Sequence, residues 1–265
     1  MNNIQFQRGA IDAGGAISSA WEMVKLKYGM YLGMTLITLV LSACIPCVSL
    51  FIVGPVMGGI AYLVLHDMRG EPVEFGMMFK GFEKFVPLMV IGLIQAIPGI
   101  IMQGVQYTIR FAGMGLNNSR GGRNLDFFAP SDDIAPYLAG GMLIVITIVS
   151  LVFLVFSIIW WACFFFAIPL ALEYDLGPVD AIKLSARAAM SNIGGMIVVL
   201  IFSVLVGLLG LVMICFGFIF ISLPIIYVAN VIVYRQVFPY IQQQMGNMMP
   251  PPPSEYGFGT GMPAN

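Results

Sequence analysis

The sequence predicts an all-α, polytopic transmembrane helix bundle of about six spans. It adds two or three amphipathic interfacial helices and a pseudo-repeat of helix plus hairpin. Three observations predict this. Of 265 residues, 59% are apolar and only 9% charged, whereas a soluble domain carries about 25% charged residues. The mean hydropathy of +0.93 is far above what a water-facing surface tolerates. Several apolar runs also exceed the roughly 20 residues that cross a bilayer core of about 30 Å. Twelve basic against thirteen acidic residues leave a net charge of −1, which removes any electrostatic basis for binding nucleic acid.

The first thirty residues hold Arg8, Asp12, Glu22, Lys25 and Lys27 and contain no signal-peptide apolar core. The first apolar run is therefore expected to remain as a span. The apolar block at 30–67 is too long for one crossing, and Cys44-Ile45-Pro46-Cys47 and Gly54-Pro55 interrupt it. The expected arrangement is a tight hairpin, with spans near 30–45 and 48–67. After it, Phe75, Met78, Phe79 and Phe82 recur at helical spacing among Lys80, Glu83 and Lys84. That pattern predicts an amphipathic helix lying in the headgroup plane.

A third span is expected near 85–111, kinked at Pro98-Gly99. Residues 113–136 are polar and Gly-rich and read as an exposed loop. The apolar stretch 137–172 reads as one long helix, tilted or broken at Pro169. Residues 178–192 give a second amphipathic helix with Pro178 near its start. The final apolar block divides into spans near 193–212 and 216–238. Residues 1–240 thus form the integral membrane domain, followed at 241–265 by a disordered Pro-rich tail. Pro252-Pro253-Ser254-Glu255-Tyr256 in that tail is one residue longer than the PPxY pattern of WW-domain ligands, so the tail is a candidate protein-docking segment.

Basic residues set the orientation. With the N-terminus inside, Arg8, Lys25, Lys27, Arg69, Lys80, Lys84, Lys183, Arg187 and Arg235 share one side. Only Arg110, Arg120 and Arg123 fall on the other. Both termini are then expected in the cytoplasm. The ends of the chain also resemble each other: 21–29 aligns with 186–194, and Pro55 with Pro224 after a four-residue insertion. Each copy reads as amphipathic helix, span, uncharged turn and Pro-containing span, related by an axis along the membrane normal.

Several motifs together resemble a bacterial uncharacterised six-span membrane protein family. That family is related to the membrane domain of some glycerophosphoryl diester phosphodiesterases. The motifs are Trp21-Glu22-Met23-Val24-Lys25, Gly54-Pro55-Val56-Met57-Gly58-Gly59, Arg69-Gly70-Glu71 with Phe79-Lys80-Gly81-Phe82, Pro169-Leu170-Ala171-Leu172-Glu173, Asp180-Ala181-Ile182-Lys183-Leu184-Ser185 and Leu223-Pro224. The resemblance covers most of 10–240 and implies the six-span fold. It carries no catalytic residue, since the soluble phosphodiesterase domain is absent.

Chemistry has few places to reside. No catalytic, cofactor-binding or metal-ligating set can be assembled, and a single His excludes a His-based metal cluster. Cys44 and Cys47 form a CxxC pair at the first hairpin turn, a possible redox pair or simple packing. Gln95, Gly99, Gln103, Gln106 and Arg110 share one face of the third span. That face is a candidate ligand or lipid path, or a hydrogen-bonding seam between helices. Glu173, Asp175 and Asp180, near Lys183 and Arg187, read as a hydrated ion-paired boundary. The leading expectation is a non-enzymatic structural or lipid- and protein-interaction component of a bacterial inner membrane, with membrane lipids as partners. A small-molecule or lipid transporter using the third-span face, and a thiol redox protein, are the alternatives. Oligomeric state is not encoded legibly.

Overall fold

The computed structural model describes residues 4–44, 46–119, 135–213 and 216–239, with side chains outside 42–49 and most of 109–146. Among the described residues the chain is helical, with no strand. In chain order the elements are α1 (Ala13–Leu26), α2 (Tyr28–Cys44), α3 (Pro46–Met68), a 3₁₀ segment (Phe75–Lys84), α4 (Phe85–Ser119) and α5 (Ala135–Phe164). There follow α6 (Ala167–Glu173), α7 (Pro178–Ser191), α8 (Ile193–Val212), a π-helical turn (Phe218–Ser222) and α9 (Leu223–Val237).

Five helical stretches are long and apolar enough to cross a membrane, or six if the bent pair α1–α2 counts as one. Their outer surfaces fit lipid as solvent. On α8, Ile201, Leu205, Leu208 and Val212 are all at least half exposed, as are Leu151, Val152 and Val155 on α5. A monomer in water does not maintain apolar patches of this extent. The bundle has a centre nonetheless. The spans ending in Met68 and Val237 are 56% buried, whereas the others are only 17–28% buried. Helices α3 and α9 therefore form the interior pair, and Pro55 and Pro224, the prolines that align in the repeat, lie one in each.

Small residues let the interior close. Without a hydrophobic force between helices in lipid, association depends on close backbone approach. A Cβ on Gly54 would overlap the Leu88 carbonyl, one on Gly59 the Met78 carbonyl, and one on Gly81 the Pro55 carbonyl. The Gly-rich face of α3 is thus pressed against the 3₁₀ segment and the start of α4. This contact explains the first departure from expectation. Residues 75–84 wind as a 3₁₀ helix, not an α-helix, so the residues facing α3 repeat every third position. Met78 and Gly81 turn inward, while Phe75 and Phe79 stay outside at 43% and 53% exposure.

Two further boundaries move. Helix α4 continues through Pro98 and on to Ser119, taking the first part of the expected 113–136 loop into helix; 120–134 lies outside the described residues. The long apolar stretch breaks at Phe165–Phe166, four residues before Pro169. A proline ring crowds the carbonyl four residues back and has no N–H to give it; α3 and α4 run on through Pro55 and Pro98, whereas here the helix is interrupted at Phe165. Pro169 then sits within the first turn of α6, where no N–H is missed.

Helix α1 does more than lie at the boundary. Asp12 caps it by accepting from the Gly15 N–H at 2.9 Å, and the Asp12 N–H donates to Gln236 at 3.0 Å. At its other end the Tyr28 hydroxyl donates to the Phe220 carbonyl at 3.2 Å. Helix α1 therefore runs antiparallel along α9, burying the small stripe Ala13, Ala16, Ala20 and Val24. The segment before it is held by Asn192, whose amide bridges Gly9 and Gln7. The residues before α1 are thereby stitched to the end of α7.

Candidate functional site

Two features meet in the interior: a charged cluster and, one helical turn along the same helices, an apolar cavity. Glu173 ends α6 and Arg235 lies in the last turn of α9. Arg235 Nη2 donates to Glu173 Oε1 at 2.8 Å, with the two side chains 7% and 6% exposed. The Tyr234 hydroxyl donates to Glu173 Oε2, and Arg69, just beyond α3, approaches the same carboxylate at 3.5 Å. Arg69 also lies 3.9 Å from Glu71, which pairs with His66. Asp67 receives Lys27 and the Tyr31 hydroxyl. Lys84 bridges Asp175 at 2.8 Å and the Leu172 carbonyl at 2.9 Å.

A buried carboxylate holding two guanidinium groups and a hydroxyl is well satisfied, as low-dielectric burial demands. Glu173 and Asp175 are ion-paired as expected, but Glu173 is buried in place of the expected hydrated boundary, Asp180 takes no part in these pairs, and the cations differ. Lys183 and Arg187 give way to Arg235, Arg69 and Lys84, which are distant in sequence and brought in by α3 and α9. The Lys84 ammonium holds the exposed Asp175 carboxyl below its ordinary range through a hydrogen bond and charge attraction.

The cavity, of about 330 Å³, falls within the size range of small-molecule sites. Helix α3 contributes Met57, Ile60 and Ala61, and α4 contributes Gln95 and Ala96. Aromatic rings Trp161, Phe164 and Phe165 come from the α5–α6 break, and Tyr227 and Asn230 from α9. Trp161 and Phe164 belong to the last turn of α5, and Phe165 to the break itself. At the offset aligning Pro55 with Pro224, Ala61 corresponds to Asn230, and both line the cavity. Gln95, Ala96, Trp161, Phe165 and Tyr227 are only half-buried, so the cavity communicates with the outside. Ile97, Ile100 and Ile159, next to these lining residues, are exposed apolar positions.

Only three of the fifteen lining residues are polar: Gln95, Tyr227 and Asn230. Asn230 Oδ1 is buried with no hydrogen-bond partner among the described residues. An unsatisfied buried acceptor costs about 1–3 kcal/mol.

Of the polar stripe expected on the third span, the structure brings only Gln95 to the cavity. Gln103 and Gln106 are exposed, two to three turns further along α4, and the Arg110 side chain lies outside the described residues. Cys44 ends α2 and Cys47 lies in the first turn of α3, but their side chains also lie outside the described residues, as does Cys215. Among the described residues no group of His, Cys, Asp or Glu has a metal-binding arrangement. The residues that sequence reasoning missed are Trp161, Tyr227 and Asn230. Asn230 carried a readable signal, as an amide in the middle of an apolar span. Neither a family model, nor a curated protein, nor a solved structure matches the chain.

Proposed function

We propose that the chain is a non-enzymatic, multi-pass component of a bacterial cytoplasmic membrane that binds a membrane lipid in the cavity between α3, α4, the α5–α6 junction and α9. The observation that carries this reading is the cavity itself: largely apolar, aromatic-lined, and reached past residues that are themselves apolar and exposed. A ligand arriving from the bilayer needs no aqueous route to such a site. The six-span resemblance noted above is compatible with this reading, and the charge distribution favours both termini in the cytoplasm. The described residues offer no nucleophile–base pair in the cavity, and the carboxylate nearest to it, Glu173, is occupied by Arg235 and Tyr234. Binding is therefore favoured over catalysis.

The test is occlusion. Ala96→Trp fills the cavity from the α4 side, where the native residue is half-buried. Native mass spectrometry of the protein released from native-lipid nanodiscs should find retained lipid on the wild type and at least tenfold less on Ala96→Trp. Equal retention on both would remove the cavity from consideration.

A further inference from the structure

We propose that the ligand of this cavity is an uncharged amphiphile whose polar end carries a hydrogen-bond donor, received by Asn230. The inference rests on the reading that the cavity binds a lipid, and narrows it to one chemical class. Three features narrow it. Among the described residues no Lys, Arg, His, Asp or Glu lines the cavity, so a charged or zwitterionic headgroup placed there would be desolvated without a counter-charge from them. Glu173 and Arg235 each lie one helical turn from a lining residue (Pro169 and Val231) and are paired with each other, while Arg69 is shared between Glu173 and Glu71. They make no demand for an ionic ligand. The buried Asn230 Oδ1 is an acceptor whose hydrogen bond is unmade by the described residues, and what completes an acceptor is an O–H or N–H donor. The rest of the lining, with Trp161, Phe164 and Phe165 on one side and Met57 and Ile60 on α3, suits an alkyl body. A long-chain alcohol or an uncharged glycerolipid with a free hydroxyl meets all these conditions; a phospholipid headgroup does not.

The experiment uses the full chain in nanodiscs with two photoreactive probes, a diazirine-bearing C16 alcohol and its methyl ether. The ether keeps the acceptor oxygen and replaces the O–H donor by a methyl group. On the wild type, the alcohol should label the peptide containing Trp161 and Phe165 about three- to tenfold more than the ether, the range expected for one net hydrogen bond. In Asn230→Leu the ratio should fall to about one while labelling by both persists. A wild-type ratio of one would overturn the donor assignment and leave the lipid-binding reading standing; this arm needs no variant to fold. A preserved ratio in Asn230→Leu would overturn the role of Asn230. Labelling of this peptide by neither probe would overturn the lipid-binding reading beneath the proposal.

Discussion

Glu173 and Arg235, 62 residues apart, form an ion pair of 2.8 Å between side chains that are 6% and 7% exposed. The pair joins the end of α6 to the end of α9, and Arg69 ties the exit of α3 to it. Three helices that line the cavity are therefore clamped at one point by one carboxylate. Replacing such a pair with apolar residues is often neutral, whereas removing one partner strands the other as a buried charge.

That asymmetry gives the first prediction. Glu173→Leu leaves Arg235 buried without its carboxylate and should cost about 3–5 kcal/mol. Tyr234→Phe removes one charge-assisted hydrogen bond and should cost about 1.5–3 kcal/mol. The double variant Glu173→Leu/Arg235→Met should recover part of the loss, with a non-additive coupling above the few tenths expected of distant sites. Arg235→Met alone completes the cycle, and reversible unfolding in mixed SDS micelles measures all four. Simple additivity would show that the two side chains are not coupled.

Backbone contact between α3 and the 3₁₀ segment gives the second. Gly59→Ala places a methyl group into the Met78 carbonyl, and Gly81→Ala one into the Pro55 carbonyl. Neither obstacle is a flexible side chain, so both substitutions should force the elements apart and sharply lower the yield of folded protein. Gly207→Ala meets only the Phe218 ring at 3.6 Å, an ordinary contact, and should be tolerated. Size-exclusion profiles and melting temperatures in one detergent rank the three. Equal behaviour would contradict the packing described.

The glutamine face of α4 gives the third. Gln95→Leu alters the cavity lining and should change lipid retention at least threefold. Gln103→Leu and Gln106→Leu, at exposed positions, should leave it within twofold of wild type. Loss of retention in the latter pair would mean that the ligand follows the whole face of the helix.

Acid sensitivity gives the fourth. Lys84 lowers the Asp175 carboxyl below its ordinary value near 3.9. A depressed carboxyl contributes stability that is present above the unfolded value and lost as pH falls through the folded one. The stability difference between wild type and Lys84→Met should therefore be constant above about pH 5 and shrink below about pH 4. The remainder at low pH reflects the Lys84 hydrogen bond to the Leu172 carbonyl, which does not titrate. Denaturation curves from pH 3 to pH 7 measure both parts. A difference that grew on acidification would contradict the pairing.

Much of the fold was legible because the bilayer enforces it. The all-helical class, the run of long apolar helices, and the starts of α3 at Pro46 and α7 at Pro178 follow from apolar run length and proline chemistry. What periodicity misread was decided by tertiary contact. Phe75, Met78, Phe79 and Phe82 have α-helical spacing, yet the Gly-rich face of α3 accepts only Met78 and Gly81 and winds the segment as 3₁₀. The break falls at Phe165, where the carbonyl crowded by Pro169 lies, and not at the proline itself. The site was far less legible. Gln95 could be singled out from its own helix, but the partners of Glu173 lie on α3 and α9, and no local pattern links them. Trp161 and Phe165 read as ordinary apolar residues until the tertiary structure places them at the cavity.

The most direct test of the central claim is an experimental density map of the protein extracted with its native lipids into nanodiscs. The account predicts elongated density between α3, α4, the α5–α6 junction and α9, packed against Trp161 and Phe164 and ending within hydrogen-bond distance of Asn230 Oδ1. A cavity closed by its own side chains, or holding only water, would contradict it.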